Sequence, residues 1–170
     1  LRFRYEPQGE LPAWVRADEH RLRQILINIL GNAVKFTTQG QVTFHLRYQR
    51  EMAIFEVEDT GHGIAPEELA HIFEPFSRGS AAYVGATGGT GLGLTIAKML
   101  TDLMGGQMSV ESTSGAGSRF RMRLYLPQSS QAAATLRQAQ RVGYVGVRRR
   151  ILIVDNEKTD REFLASVLEP

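Results

Sequence analysis

The residues that decide the fold are 28–37, NILGNAVKFT, close to the end of a long apolar-periodic run. Asp18 stands in front of that run, where it is typical of a helix N-cap, so the pattern predicts a helix from there through Phe36. One face of this helix is predicted to carry the apolar side chains Leu22, Ile25, Leu26, Ile29 and Ala33. A single apolar stripe has to be covered by a second layer of structure.

The same helix carries a polar strip beside its apolar face. At about 100° per residue, Asn28, Asn32 and Lys35 fall within an arc of roughly 60°. An amide oxygen is a hard ligand suited to Mg²⁺, and a lysine supplies a point charge for phosphate. The strip is a candidate phosphate and metal site, although a plain solvent-exposed polar face explains the same pattern.

The flanking sequence supplies strands. Six segments alternate in the manner of strands: residues 2–6, 13–17, 42–48, 52–58, 107–112 and 118–126. A turn at residues 7–9 joins the first two, and Arg50 and Glu51 join the next two into an antiparallel hairpin. The last two are separated by a glycine-rich turn.

Two further helices are predicted. Pro66 is typical of helix position N1 and predicts a short helix to about Phe73. A second amphipathic helix is predicted from about Leu92 to Met104, ending at the glycine pair 105–106. Helices and strands do not alternate strictly along the chain, which favours an α+β arrangement with helices on one face of a sheet.

Composition indicates a globular domain with a small extra piece. The chain has 170 residues, of which 42% are apolar and 22% charged, and its net charge is +2. The near balance of charge disfavours a nucleic-acid function, and the absence of cysteine excludes disulfides and thiolate chemistry. No apolar run approaches the roughly 18 residues that a bilayer span needs. The chain begins at Leu1 without Met, so we expect a piece of a longer protein.

Two glycine-containing turns are candidate nucleotide contacts. The first is DTGHGI, residues 59–64, in which Asp59 offers an acceptor to an exocyclic amine such as that of adenine. Gly61 and Gly63 permit close approach of the backbone, although a plain Asp-Gly turn explains the same residues. The second is GGTGLGL, residues 88–94, which opens a helix whose terminus favours anions. It lacks the spacing of a P-loop or a dinucleotide fingerprint, and loop flexibility is the alternative.

In their order and spacing, four motifs resemble those of the histidine-kinase branch of the ATPase superfamily that includes gyrase, Hsp90 and MutL. Residues 28–37 resemble the N box, 59–64 the G1 box, 73–76 the F box and 89–94 the G2 box. The turn at 112–120, which alone indicates only a structural role, is similar to the last glycine box of that family. The resemblance covers nearly all of residues 1–127. It implies a Bergerat-type ATP-binding fold, an α+β two-layer sandwich in which about three helices cover a mixed, mostly antiparallel sheet.

The resemblance also implies roles around Mg-ATP. Asn32 would ligate Mg²⁺ at the phosphates with Asn28 close by, and Lys35 would contact phosphate. Asp59 would accept the adenine amine, and residues 77–90 would form a mobile lid over ATP. The other implied nucleotide contacts are Phe36, Gly61, Gly63, Ile64, Phe76, Arg78, Gly89, Thr90, Gly91, Leu92, Gly93 and Leu94.

The implied reaction is transfer of the γ-phosphoryl group to a histidine on a separate, upstream dimerisation domain, as in two-component phosphorelays. The four histidines of this chain, none in a phosphoacceptor-like context, are His20, His45, His62 and His71. We therefore expect this piece to bind ATP without phosphorylating itself. The implied partners are the dimerisation domain of a homodimeric parent protein and the receiver domain of a response regulator. The implied location is the cytoplasm, with or without an inner-membrane anchor on the parent.

Beyond residue 127 the sequence changes character. Residues 128–150 are rich in Gln, Ala and Ser and predict a linker. Residues 151–170 begin with ILIV, typical of a buried parallel strand, and predict a following helix. They resemble the start of a response-regulator receiver, in which Asp155 matches an acidic pair that helps to hold Mg²⁺. Asn156 replaces the second acid, which removes one implied ligand.

Two other functions stay open on the sequence alone. An ATP-hydrolysing relative, such as a chaperone or DNA enzyme of the same superfamily, uses a glutamate as base near the first N-box asparagine. Asn28 is an amide that cannot take a proton, which disfavours that reaction. A nucleotide-binding scaffold without transfer activity keeps the same motifs and differs only in lacking the reaction.

Overall fold

Alternating residues form one sheet in the computed structural model, which describes residues 1–77 and 90–129. The strands in those ranges are β1 (Arg2–Gln8), β2 (Gln41–Gln49), β3 (Met52–Asp59), β4 (Gln107–Thr113) and β5 (Gly117–Tyr125). Their order is β1-β2-β3-β5-β4. β1 is parallel to β2, and the other neighbours are antiparallel. The predicted mixed, mostly antiparallel sheet of an α+β fold is confirmed.

The helices of the described ranges are α1 (Glu19–Phe36), α2 (Pro66–Leu69) and α3 (Gly93–Leu103). α1 begins where predicted because Asp18 Oδ1 accepts the Arg21 N–H at 3.1 Å, which satisfies a first-turn donor. α3 ends ahead of Gly105, whose φ of 71° is a conformation that glycine adopts without strain. Among these helices, none combines the length and apolar character needed to cross a membrane.

The core lies between the helices and one face of the sheet. Along β3, every second side chain is buried, including Ala53, Phe55 and Val57. From the helix side, Ile25 and Ile29 of α1 are 0% and 2% exposed. Burying a large aliphatic side chain stabilises the fold by about 1.5–3 kcal/mol. The predicted apolar stripe therefore stabilises the packing of α1 against the sheet.

The predicted strand at residues 13–17 is wrong. Val15 makes a single β-bridge, to Gln128, in place of a ladder. The Arg16 N–H donates to the Pro127 carbonyl at 2.8 Å, so the segment pairs only locally with the chain that leaves β5. Val15 still packs against the core, which explains an apolar alternation without a strand.

The turn predicted at residues 7–9 begins later than expected. β1 continues through Gln8, and the chain turns only at Gly9, which has φ of 76°. Pro7 is tolerated because β1 is an edge strand, where a missing N–H need not break a ladder.

The short helix is also shorter than predicted. It ends at Leu69 and not near Phe73. The chain continues in tight turns, in which the His71 N–H donates to Glu68 O at 2.9 Å. The Glu74 N–H likewise donates to His71 O at 2.9 Å, so turns closed by three-residue hydrogen bonds take the place of the last helical turn.

The chain from residue 130 onward lies outside the described residues. The linker expected at 128–150 therefore remains a prediction beyond its first two positions, and so does the receiver start at 151–170.

Candidate functional site

The polar strip of α1 lies beside the core and is half covered. Asn28, Asn32 and Lys35 are each partly buried, in contrast to fully buried Ile29 on the adjacent face. A plain solvated face would leave such side chains fully exposed. The strip is therefore partly covered by its surroundings and is not a plain solvated face.

The 59–64 turn packs directly against the end of α1. Asp59 is the last residue of β3 and only 6% exposed, and its Oδ1 accepts the Gly61 N–H at 2.8 Å. A Cβ at Gly61 would lie 2.4 Å from Phe36 O, closer than real atoms approach. Glycine at this position is what lets the turn reach the helix.

Aromatic contacts extend the same junction. The Phe36 ring meets the His62 ring edge-on, with centroids 5.5 Å apart at 79°. Lys35 Nζ lies 4.9 Å from the centre of the Phe36 ring, within the range of a cation–π contact. The ammonium, the ring and the buried carboxylate of Asp59 therefore gather at one end of α1.

The start of α3 reaches the middle of α1. A Cβ at Gly93 would lie 3.7 Å from Asn28 Oδ1, which places the G2-box glycine next to the N-box amide. Gly91, with φ of 71°, packs against the backbones of Phe76 and Ser77, and a Cβ there would lie 2.9 Å from Ser77 O. The F-box and G2-box segments thus touch, and the second of them touches α1.

The remaining predicted contacts divide by environment. Ile64 and Leu94 are partly buried and pack against the hydrophobic core, so they support the site from below. Thr90 is exposed, and Leu92 is the N-cap residue of α3. Phe76 is 71% exposed with φ of 63°. The other two predicted contacts, Arg78 and Gly89, lie outside the described residues, as does most of the 77–90 loop.

The chemistry of the strip and of the start of α3 suits an anionic, metal-bound ligand. Asn28 Nδ2 is buried and has no hydrogen-bond partner within residues 1–77 and 90–129, so it presents an unused donor. The N-cap residue of α3, Leu92, makes no side-chain hydrogen bond to the first turn, which leaves peptide N–H groups for an anion. Phosphate oxygens would accept from both, and the Asn32 amide oxygen belongs to the class of ligands that Mg²⁺ takes.

Burial sets the electrostatics of Asp59. Desolvation raises the pKa of its carboxyl above the ordinary value. Hydrogen bonds from the Gly61 and Ser118 N–H groups and from the Ser118 hydroxyl, with the nearby His62, oppose that rise in pKa. The carboxylate is thus a partly desolvated acceptor, held by neighbours that favour its charged form.

From the sequence, Ser112 and Ser118 are predicted to have only a structural role. Strand register places Ser118 opposite Asp59, and Ser112 opposite Ser118, at one end of the sheet. The available signal was two small polar residues at strand ends, on the face where apolar residues otherwise stand. It is visible only once the pairing of β3, β4 and β5 is known.

A second polar cluster lies on the opposite face of the sheet. His45, Glu56 and Glu58 present possible metal ligands within 4.8 Å of one another. However, Arg121 binds Glu56 at 2.7 Å and Arg119 binds Glu58 at 3.1 Å. The guanidinium groups already occupy these carboxylates, so the cluster is an ion-pair ladder and not a metal centre.

Comparison with known proteins gives a family match over most of the described chain. The model of the family described as histidine kinase-, DNA gyrase B-, and HSP90-like ATPase matches residues 17–128. The chain is 41% identical over 153 residues to the sensor protein TorS of Escherichia coli (strain K12), which covers 89% of this chain and 16% of TorS. It is 44% identical over 133 residues to the aerobic respiration control sensor protein ArcB of the same organism, covering 77% and 17%. The chain thus spans less than a fifth of these relatives.

Solved structures show the same fold. Full-length ShkA in complex with AMPPNP superposes with a TM-score of 0.66 at 38% identity, covering 76% of this chain and 26% of ShkA. The mycobacterial sensor histidine kinase MprB superposes with a TM-score of 0.61 at 28% identity, covering 75% and 83%.

Gly63 and Gly115 offer a matched test of the turn packing. Both have positive φ, but a Cβ at Gly63 would lie 2.0 Å from Thr113 O, whereas one at Gly115 meets nothing within 4 Å. We expect Gly63→Ala to lower the free energy of unfolding by about 2 kcal/mol more than Gly115→Ala, because only the first adds a clash to the φ strain. Urea unfolding measures both, and equal losses would refute the packing role.

The raised pKa of Asp59 predicts a pH-dependent stability difference. Where the folded pKa exceeds the unfolded one, the folded state binds more protons, so this carboxyl contributes more stability as pH falls. We expect the native chain to gain stability relative to Asp59→Asn when urea unfolding is repeated at about pH 4 instead of about pH 7. A constant offset between the two proteins would contradict the burial effect.

Proposed function

This chain belongs to the histidine kinase-, DNA gyrase B- and HSP90-like ATPase family, and on that premise we propose that it binds Mg-ATP and donates the γ-phosphoryl group to a histidine of a separate dimerisation domain. The observation that carries the proposal is the meeting of the motifs around α1. Gly61 and His62 contact one end of the helix at Phe36, and Gly93 contacts Asn28 further along. One helix therefore joins a base-reading end to a phosphate-binding end.

We assign the base end to Asp59 and the turn that it opens. Its buried carboxylate accepts the exocyclic amine of adenine, and Gly61 lets the backbone approach the flat base. Phe36 packs beside the nucleotide at the junction with His62. Gly63 supports this turn from behind, since its neighbour is the Thr113 backbone.

We assign the phosphate end to α1 and the start of α3. Asn28 Nδ2 and the first N–H groups of α3 donate to phosphate oxygens, and Lys35 supplies positive charge. Mg²⁺, held by Asn32 and the phosphates, would neutralise charge on the transferring group. The transfer breaks the bond from the γ-phosphorus to its bridging oxygen and forms a bond to a ring nitrogen of the acceptor, and ADP leaves with the electron pair.

The residues that face the phosphates favour transfer over hydrolysis. Water attack is assisted by a general base that takes its proton. On α1, the amide of Asn28 stands where an ATP-hydrolysing relative would carry a glutamate as that base. Within the described ranges this strip offers two carboxamides and an ammonium, none of which acts as such a base. The kinase reaction needs only positioning and charge neutralisation from them.

We place the docking surface of the acceptor domain on α3. Ile96, Met99 and Leu103 share one side of that helix and are 38%, 59% and 66% exposed. The row starts beside the glycines assigned to phosphate, so a partner helix seated there would come close to the γ-phosphoryl group. A receiver domain is the further partner that this reaction class needs. Because the reaction uses ATP, we assign this domain to the cytoplasm, where ATP is available.

The nucleotide assignment is tested with Asn32→Ala. We expect Mg-ATP affinity, measured by calorimetry, to fall at least about tenfold. The variant loses a metal ligand that contributes about 1–3 kcal/mol to the free energy of binding. Labelled transfer to the dimerisation domain of the parent protein should fall in parallel. The control Ile27→Ala, exposed elsewhere on α1, should leave affinity unchanged. A native chain that binds Mg-ATP yet never labels histidine would favour the scaffold function.

The docking surface is tested with Met99→Asp. We expect transfer to the dimerisation domain to fall about tenfold with Mg-ATP affinity unchanged, because burying a charge in an apolar contact weakens association. Ser109→Asp, which introduces the same charge at an exposed position of β4, is the control. Equal transfer by both variants would rule out this face of α3.

A further inference from the structure

Strand β1 carries apolar side chains that stay half exposed. Phe3 and Tyr5 alternate on the helix side of the sheet and are 54% and 50% exposed. Their side is fixed by the register, because Phe3 lies opposite Val42, which is 0% exposed in the core. The Tyr5 ring stacks on the Phe44 ring, with centroids 5.7 Å apart. The apolar face of the sheet therefore continues beyond the core to an edge that water reaches.

The opposite face of β1 carries exposed charges of both signs. Arg2, Arg4 and Glu6 alternate along it. Glu6 Oε2 lies 3.4 Å from His45 Nδ1 on β2. Neither arginine forms an ion pair within residues 1–77 and 90–129. Two cations without a counter-charge and one carboxylate thus stand in a row at the edge of the sheet.

The peptide groups of β1 have an open side as well. The Arg2 N–H donates to Gly40 O at 2.9 Å, on the side of β2. In a parallel ladder, the peptide groups of alternate residues point to the same neighbour, so those of Phe3 and Tyr5 point away from β2. Among the described strands β1 is an edge, and unpaired peptide groups at an edge are a template for another strand. Pro7 belongs to the outward-pointing set, so its missing N–H leaves the β1–β2 ladder intact.

We propose that β1 is an interaction surface for a second copy of this chain, which pairs with it in antiparallel orientation about a two-fold axis at Tyr5. In this register Arg4 lies opposite Glu6 of the second copy, and symmetry gives that pair twice. Opposite charges that face each other across strands stabilise the pairing. On the helix side, the two Tyr5 side chains meet at the axis, and Phe3 packs on Pro7 of the second copy.

The backbone supports the same register. Each Tyr5 N–H donates to the Tyr5 carbonyl of the other copy, and each Phe3 N–H donates to the Pro7 carbonyl of the other copy. Four main-chain hydrogen bonds result, and the proline is required only as an acceptor. The pairing therefore satisfies the open edge without needing an N–H that the sequence lacks.

Charge decides the position of the two-fold axis. An axis at Arg4 would set the Arg4 side chains of the two copies directly against each other, and facing like charges destabilise a strand pair. An axis at Tyr5 places no like charges opposite each other, since Arg2 then faces Gln8 of the second copy. The alternation of sign along β1 is therefore complementary to itself in one antiparallel register.

The proposed interface is small. Two strands of seven residues bury less than about 1,200 Å², an area typical of weak and transient association. We therefore expect a monomer at about 1 μM and a dimer at about 1 mM. Short flexible linkers give effective concentrations in the millimolar range, so a homodimeric parent protein would favour the pair. The pairing needs no nucleotide and is independent of the proposed function.

The test is sedimentation of the 170-residue chain between about 1 μM and 1 mM. Arg4→Glu sets acidic side chains opposite each other, and Glu6→Arg sets basic ones opposite each other. We expect each change alone to weaken dimerisation at least about tenfold. The two single variants mixed in equal amounts should form a heterodimer, because every facing pair then carries opposite charges. Arg123→Glu, the same charge change at an exposed position of β5, should leave dimerisation unchanged.

Three results would overturn the inference. A native chain that stays monomeric up to about 1 mM leaves this edge to a strand of another protein or to none. A dimer that both single changes leave intact uses another face, and a mixture of the two variants that does not associate excludes this register. Should Glu6→Arg fail to fold, Tyr5→Glu places two like charges at the axis and should weaken dimerisation to a similar extent.

Discussion

The approach of the 59–61 turn to the end of α1 is the contact on which the rest of the site depends. Only a glycine at position 61 allows it, since any Cβ would enter the Phe36 carbonyl. The contact fixes Asp59 relative to the helix, and the contact of Gly93 fixes the start of α3 relative to Asn28. Eight residues separate Asn28 from Phe36, which at the rise of an α-helix is about 12 Å. α1 therefore sets the distance between the proposed base end and the proposed phosphate end.

The sheet supplies two faces with different tasks. On the helix side, β3 buries Phe55 and Val57 and ends with Asp59 in the same register. On the other side, Glu56 and Glu58 pair with arginines of β5, in half-exposed ion pairs that each contribute little to stability. A one-residue slip of β3 would exchange the faces and carry Asp59 away from the helix. The apolar alternation that builds the core therefore also orients the carboxylate that we propose to read the base.

Local chemistry made most of the fold predictable. The Asp18 cap, the apolar stripe of α1 and the β2–β3 alternation each contain their own signal, and the structure follows them. The strand predicted at residues 13–17 was wrong because Val15 packs against the core from a connecting segment. Apolar spacing does not distinguish such a segment from a strand. The serines beside Asp59 could not be predicted as a network, because their proximity arises from the pairing of β5 with both β3 and β4.

The burial of Asp59 explains why a destabilising feature belongs in this site. Taking a carboxylate out of water costs free energy, which the raised pKa records. An exposed carboxylate would avoid that cost. Water would then satisfy its hydrogen bonds whichever base was bound, and the affinity for the wrong base would fall only a little. A buried acceptor penalises every ligand that leaves it unpaired, and discrimination by polar groups arises from that penalty. In the proposed site, the burial that costs stability is therefore also the source of selectivity for the base.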